Sequence, residues 1–250
     1  MKIAIFSAFP EELKHILKNV SVLRTSKGST FVVTEAAHGA HEILLIQTGP
    51  DAGRTQAAFD FLTGQHPPDM VVSLGFGGAL YEEAAAGDLI WADRIFLCRS
   101  GKRPQGEWLS LDLPDAPEIY RKLSPGLPIH EGSVVTIEER MDKRRLRDLL
   151  PAGLPFAVCD METFFVAKSA LERRIPVFAI RSVTDRLDEE IPEGLSGLSD
   201  KSGNRSLGRA LATIMENPDV APDLIRLGRT SHRASRNLWS GLSRLLEILR

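Results

Sequence analysis

The sequence predicts an α/β protein, a three-layer αβα fold around a central mixed, mostly parallel sheet. Three observations carry that expectation. Apolar runs of strand length alternate with helical patterns over residues 1–190. Several of those runs end in glycine-rich or acidic turns. Residues 156–185 form a strand–helix–strand unit: Phe156-Ala157-Val158-Cys159, a helix from Thr163, then Val177-Phe178-Ala179-Ile180 after Pro176. In its helix Phe165, Ala167, Ala170 and Leu171 are spaced along one side. The connection is long enough to make the two strands parallel neighbours.

In chain order, Lys2–Ser7 reads as a buried strand, and Pro10 with two acids opens a helix running to Val20. Phe31–Ala36 and Glu42–Gln47 read as paired strands around His38-Gly39. Thr48–Gly53 is a strand-to-helix turn, with a helix from Arg54 to about Thr63. Asp69–Leu74 is a strand ending in a turn at Gly75-Phe76-Gly77-Gly78, and Leu89–Ala92 another strand. Ser100–Pro117 is polar and irregular, which places it on the surface. Gly132–Thr136 is a strand and Glu138–Leu150 a charged helix. After the central unit, Asp188–Asn204 reads as a loop, followed by helices over Leu207–Glu216 and Asp223–Leu249. The expected organisation is a catalytic domain over residues 1–200 and a helical extension over 201–250 packed on it.

A chain of 250 residues with 43% apolar and 26% charged residues suits a globular protein with a well-buried core. Its net charge of −2 gives no reason to expect nucleic acid as a partner. The balance is uneven: residues 201–250 hold nine Lys/Arg and four Asp/Glu. Two cysteines without metal-ligand spacing, and no apolar stretch of membrane-spanning length, point to a cytoplasmic protein with no metal and no cofactor.

The chemistry-bearing candidates are carboxylates at turns after apolar runs: Glu12, Glu162 and Asp185. Each alone reads as a helix cap or first-turn charge. Together they converge on one sheet edge, where open α/β sheets place ligands, and paired carboxylates there suit acid–base chemistry at a glycosidic carbon. Two glycine turns, 48–53 and 75–78, join that edge and let a ligand approach backbone N–H groups. Neither matches a nucleotide fingerprint. Arg181 interrupts an apolar strand, so it is either a structural ion pair or a charge aimed into the pocket.

Six ordered segments carry a family resemblance: KIAIFSAFPEEL at the start, TGPDAGRTQAA (48–58), VVSLGFGGAL (71–80), GDLIWAD (87–93), CDMET (159–163) and VFAIRSVTD (177–185). In this set the chain resembles the purine nucleoside phosphorylase/methylthioadenosine–S-adenosylhomocysteine nucleosidase superfamily. The resemblance implies a phosphorylase/hydrolase-like fold that cleaves the N-glycosidic bond of a purine nucleoside. It implies Glu12 as general base, Asp185 as the acid at purine N7, and Met161 and Glu162 as ribose contacts. Ser73, Gly75, Phe76, Gly77, Gly49 and Phe9 would line the ribose and the nucleophile, with Arg181 beside them. The expected partners are a small-molecule nucleoside, water or phosphate, and a second copy of the chain. Two acids in the turn SAFPEE would repel phosphate, which favours water as the nucleophile over a phosphorylase; a futalosine-type hydrolase and a non-catalytic nucleoside-binding module are the alternatives.

Residues after Asp185 loosely resemble the hopanoid-associated phosphorylase branch, which implies a lipid nucleoside, adenosylhopane. In that tail Trp239, Leu242, Leu246 and Leu249 share a helical side, while Arg226, Arg229, Arg233, Arg236 and Arg244 add basic charge. Such a helix either packs on the domain or a partner subunit, or lies on an anionic membrane surface. Packing is the expected outcome.

Overall fold

The computed structural model describes residues 1–28, 30–65, 67–99, 107–151, 154–189 and 221–250. Its elements run β1 (Lys2–Ser7), α1 (Pro10–Leu13), β2 (Ser21–Lys27), β3 (Val32–His38), β4 (His41–Gln47), α2 (Ala52–Gln65), β5 (Met70–Ala79) and β6 (Leu89–Cys98). They continue with β7 (Trp108–Ser110), α3 (Ala116–Leu123), β8 (Ile129–Ile137), α4 (Lys143–Leu149), β9 (Val158–Asp160), α5 (Thr163–Glu172), β10 (Val177–Asp185) and α6 (Ala221–Ile248). The loop and first helix expected within 190–220 lie outside the described residues.

The strands form one mixed sheet in the order β10-β6-β8-β9-β5-β1-β4-β3-β2, with β7 on β6. A further pairing of β10 with β5 closes β10, β6, β8, β9 and β5 into a ring. β4, β1, β5 and β10 are mutually parallel. The central unit departs from expectation. β9 runs parallel to β8 and antiparallel to β5, and β10 runs parallel to β5, so β9 and β10 are neither neighbours nor parallel. β5 lies between them, pairing with β10 over Val71–Gly78 and with β9 at Gly78 and Ala79.

Alternation along the parallel strands fills two cores. Ala4 and Phe6, Leu44 and Ile46, and Val177 and Ala179 face one, together with Phe59 of α2 and Ala167 of α5. Ile3 and Ile5, Ile43 and Leu45, and Phe178 and Ile180 face the other, together with Ile119 of α3 and Leu238, Leu242, Leu245 and Leu246 of α6. A side-chain period of two produces this division. It also decides the fate of the basic tail. Leu242 and Leu246 are fully buried, and Trp239 and Leu249 pack against the same core, so the apolar side of α6 is taken up by the protein itself.

Other expectations were displaced locally. The first helix is only Pro10–Leu13, with turns beyond it to Asn19. The expected turn at Gly75–Gly78 is instead the second half of strand β5. The charged helix begins at Lys143, capped by Asp142, which accepts from Arg145 N. β2, absent from the sequence reading, is an exposed edge strand without an alternating pattern.

Candidate active site

β1 and β4 both end beside a narrow cleft. It is lined by Phe6, Ser7, Ala8, Glu12, Thr48, Ser73, Leu74, Gly75, Glu162, Val166 and Arg181. Glu12 stands third in α1, and its carboxylate reaches back to the cap residue: Phe9 N donates to Oε2 at 2.9 Å, half of a capping box. The same oxygen accepts from Ala8 N at 2.9 Å and from Ser7 Oγ at 2.7 Å. Oε1 accepts from Phe76 N at 2.8 Å, sixty-four residues along the chain. A cap needs no such distant partner. The carboxylate is therefore fixed against both β1 and β5, while Oε1 keeps acceptor capacity. Burial pushes Glu12 above the ordinary carboxylate value, and the N–H donors of Phe9 and Phe76, Arg181 and Ser7 partly offset this.

Gly75 admits that carboxylate. A Cβ at Gly75 would lie 2.8 Å from Glu12 Oε1. Both cleft sides meet here, because Gly75 registers with Arg181 across β5 and β10. Arg181 Nε donates to Asp160 Oδ2 at 2.8 Å, Nη2 to Ser73 Oγ at 2.8 Å and Nη1 to Ile180 O at 3.0 Å. Arg181 and Asp160 are both buried. The two readings of Arg181 merge: it is a structural ion pair, and it lines the cleft.

Asp160 is held in turn. Thr136 Oγ1 donates to Oδ1 at 2.7 Å, Thr163 N to Oδ2 at 3.0 Å, and the Thr163 hydroxyl also donates to Oδ2. Phe164 N donates to Thr136 Oγ1 at 2.9 Å, tying the start of α5 to β8. This network orients Glu162, the cap residue of α5, whose side chain caps nothing. Glu162 is half-buried on the cleft wall and sits well above the ordinary carboxylate value. Burial is the first cause, and the negative charges of Asp160 and Glu12 add to it, against Arg181.

Asp185 stands apart from this cluster. It is buried at the end of β10 and does not line the cleft. The family resemblance assigns an acid here. The structure instead pairs Oδ2 with Lys143 Nζ at 2.7 Å, while Thr184 Oγ1 donates to Oδ1 at 2.7 Å. A Cβ at Gly78 would lie 2.8 Å from Asp185 Oδ2 and 3.2 Å from both Cys159 Sγ and Lys143 Cδ. Burial and the Asp185 carboxylate push the Cys159 thiol up to about 12, so it is no nucleophile.

Of the remaining expected contacts, Ser73 and Gly75 line the cleft. Phe9 and Phe76 meet Glu12 through backbone N–H groups, and the Phe76 side chain packs into the core. Met161 packs against the core beside β8 and β9, and Gly77 backs onto Val158 and Cys159. Gly49, at φ +69°, turns the chain beside Arg54. Sequence reasoning missed Ser7, Thr136, Asp160, Thr163 and Lys143. Ser7, Thr136 and Asp160 lie at or next to the last residues of β1, β8 and β9 and Thr163 opens α5, but only tertiary pairing brings them together.

Two carboxylates, Glu12 and Glu162, and the Arg181 guanidinium share one cleft of a mixed-sheet α/β protein. The chain belongs to the phosphorylase superfamily, whose defining pattern matches residues 2–217. A 5′-methylthioadenosine/S-adenosylhomocysteine nucleosidase of an Exiguobacterium species is 23% identical over 212 residues, which cover 76% of this chain and 87% of that one. The futalosine hydrolase of Streptomyces coelicolor is 30% identical over 167 residues, covering 60% of this chain and 68% of that one. In fold, the chain is similar to the S-adenosylhomocysteine nucleosidase of Streptococcus pyogenes, with a TM-score of 0.73 at 18% identity and coverage of 100% and 98%.

Proposed function

We propose that this enzyme cleaves the N-glycosidic bond of a 5′-substituted, adenosine-type purine nucleoside, with water as the nucleophile. One observation carries the reading: Glu12 is a buried carboxylate, pinned by donors from β1 and β5, that shares its cleft with Glu162 and Arg181. Bond cleavage builds positive charge on the ribose and negative charge on the leaving base. Glu162 would hold the ribose hydroxyls and favour the first charge, while Glu12 Oε1 takes a proton from the attacking water. Asp185 would serve the base.

The two ends are set along β5. Gly75 admits Glu12, and Gly78, three residues further along the same strand, admits Asp185. Water is favoured over phosphate because, among the described residues, Arg181 is the one cation lining the cleft, and Asp160 and Ser73 already engage it. A phosphate dianion needs more donors than that leaves.

The relatives named above act on methylthioadenosine, S-adenosylhomocysteine or futalosine, by their names, which defines the panel. The test is incubation with those three and adenosylhopane, with and without phosphate, reading free base. Release of base from one of them without phosphate is expected. Release only with phosphate would replace the hydrolase with a phosphorylase, and no release from any would end the reading.

A further inference from the structure

Lys143 is the residue that the base end of the site holds and the sequence did not offer. Its ammonium donates to Asp185 Oδ2 at 2.7 Å and also to the backbone oxygens of Arg186 and Glu189. Both side chains of the pair are almost wholly buried, at 5% and 8% exposure. The absence of a side chain at Gly78 makes room for the two together, since a Cβ there would collide with Asp185 Oδ2 and crowd Lys143 Cδ. Such an arrangement is costly unless both charges are used or fully satisfied. Thr184 Oγ1 donates to Oδ1 and Lys143 Nζ to Oδ2, so both oxygens of Asp185 accept from side chains.

We propose that Lys143 is the positioning residue that holds the proton destined for the leaving base and passes it through the Asp185 carboxyl. The inference rests on the nucleoside-cleaving reading above. As C1′–N9 breaks, its electron pair goes to the purine. One proton passes from the Lys143 ammonium to the Asp185 carboxylate and on from it to purine N7, leaving the carboxylate as it was and a neutral lysine amine. The oxygen of water bonds to C1′, and the proton it sheds goes to Glu12. Between turnovers Glu12 returns its proton to solvent and the Lys143 amine regains one. No charge or atom is left over.

Two variants and two classes of leaving group test this. Lys143→Met removes both the charge and the proton. Lys143→Arg keeps a cation beside Asp185 but does not release a proton. On the purine nucleoside that the wild type cleaves, both variants are expected to lose on the order of 10²–10⁴-fold in kcat/KM, the usual size of a general-acid contribution. On an N7-methylated purine nucleoside or p-nitrophenyl riboside, whose leaving groups depart without a proton, Lys143→Met is expected to stay within a few-fold of wild type. Equal losses on both classes would make Lys143 a structural tether and overturn the proposal, as would a Lys143→Arg enzyme as fast as wild type. Wild type that releases no base from any purine nucleoside would instead overturn the function itself.

Discussion

At the scale of single residues, the cleft is a place where negative charge is crowded and only partly answered. Glu12, Asp160 and Glu162 share one cation, Arg181, whose Nε and Nη2 are already given to Asp160 and Ser73. Asp160 takes the ion pair, Glu12 takes backbone donors, and Glu162 is left with one long contact from Met161 N at 3.4 Å. That ranking explains why Glu162 sits well above the ordinary carboxylate value of 4.5, with burial the first cause and its two acidic neighbours next. A carboxyl raised in the fold binds its proton more tightly there than in the unfolded chain. Between pH 4.5 and its raised value, the folded state therefore binds more protons, and stability falls as pH rises across that window. Glu162→Gln removes this penalty. Its melting temperature is expected to gain on wild type as pH rises above 4.5, while turnover falls with the loss of the proposed ribose contact. A stability difference that does not change with pH would show that Glu162 carries no such strain.

At the scale of elements, β5 is the ruler of the site. Its first half is apolar and buried, and its second half, Gly75-Phe76-Gly77-Gly78, brings backbone up to Glu12 at the cleft and to Asp185 outside it. In the sequence those glycines look like a turn, because glycine ends strands far more often than it extends them. In the fold each position has a separate reason. Gly75→Ala places a methyl 2.8 Å from Glu12 Oε1 and pushes the carboxylate away from Phe76 N. Gly78→Ala does the same to Asp185 and Lys143. The two variants are expected to separate by leaving group. Gly75→Ala slows every substrate, because it disturbs activation of water. Gly78→Ala slows purine nucleosides far more than p-nitrophenyl riboside, because it disturbs only protonation of the base. Equal behaviour in a steady-state comparison would mean that the two ends of β5 are not chemically distinct.

This element also marks what the sequence could and could not disclose. That Glu12, Glu162 and Arg181 share a cleft follows a cue in the sequence, since each stands at or within an apolar run where a polar residue needs a reason; Asp185 carries the same cue and lies outside that cleft. Lys143 was not legible: it sits among Arg140, Arg144, Arg145 and Arg147, and its partner is forty-two residues further on. The order of β9, β5 and β10 was equally hidden, since a strand–helix–strand pattern does not show that a strand from eighty residues earlier has come between.

At the scale of the whole molecule, α6 decides whether the tail is an appendage or part of the body. Its apolar side supplies Leu238, Leu242, Leu245 and Leu246 to the core that also holds Ile3 and Ile5, Ile43 and Leu45, and Phe178 and Ile180. Its polar groups are tied in as well: Ser235 Oγ donates to Glu12 O at 3.3 Å, Asn237 Nδ2 to Gly87 O at 2.7 Å, and Arg244 Nη1 to Leu123 O at 3.0 Å. To lie on a membrane by its apolar side, α6 would have to strip four buried leucines from this core, at roughly 1.5–3 kcal/mol each. Among the described residues of α6, the exposed arginines that remain for an anionic surface while the helix stays packed are Arg229, Arg233 and Arg236. Leu242→Ala is therefore expected to cost about 2–5 kcal/mol, lowering the melting temperature by on the order of 10 °C in a single transition that takes the active site with it. Vesicles of anionic lipid should leave the fluorescence of Trp239, packed edge-on at 5.2 Å from His38, unchanged. An early, separate melting step for α6, or a blue shift of Trp239 on vesicles, would mean that the helix detaches. The link from Ser235 to the residue proposed as the base would then be broken whenever the protein met a membrane.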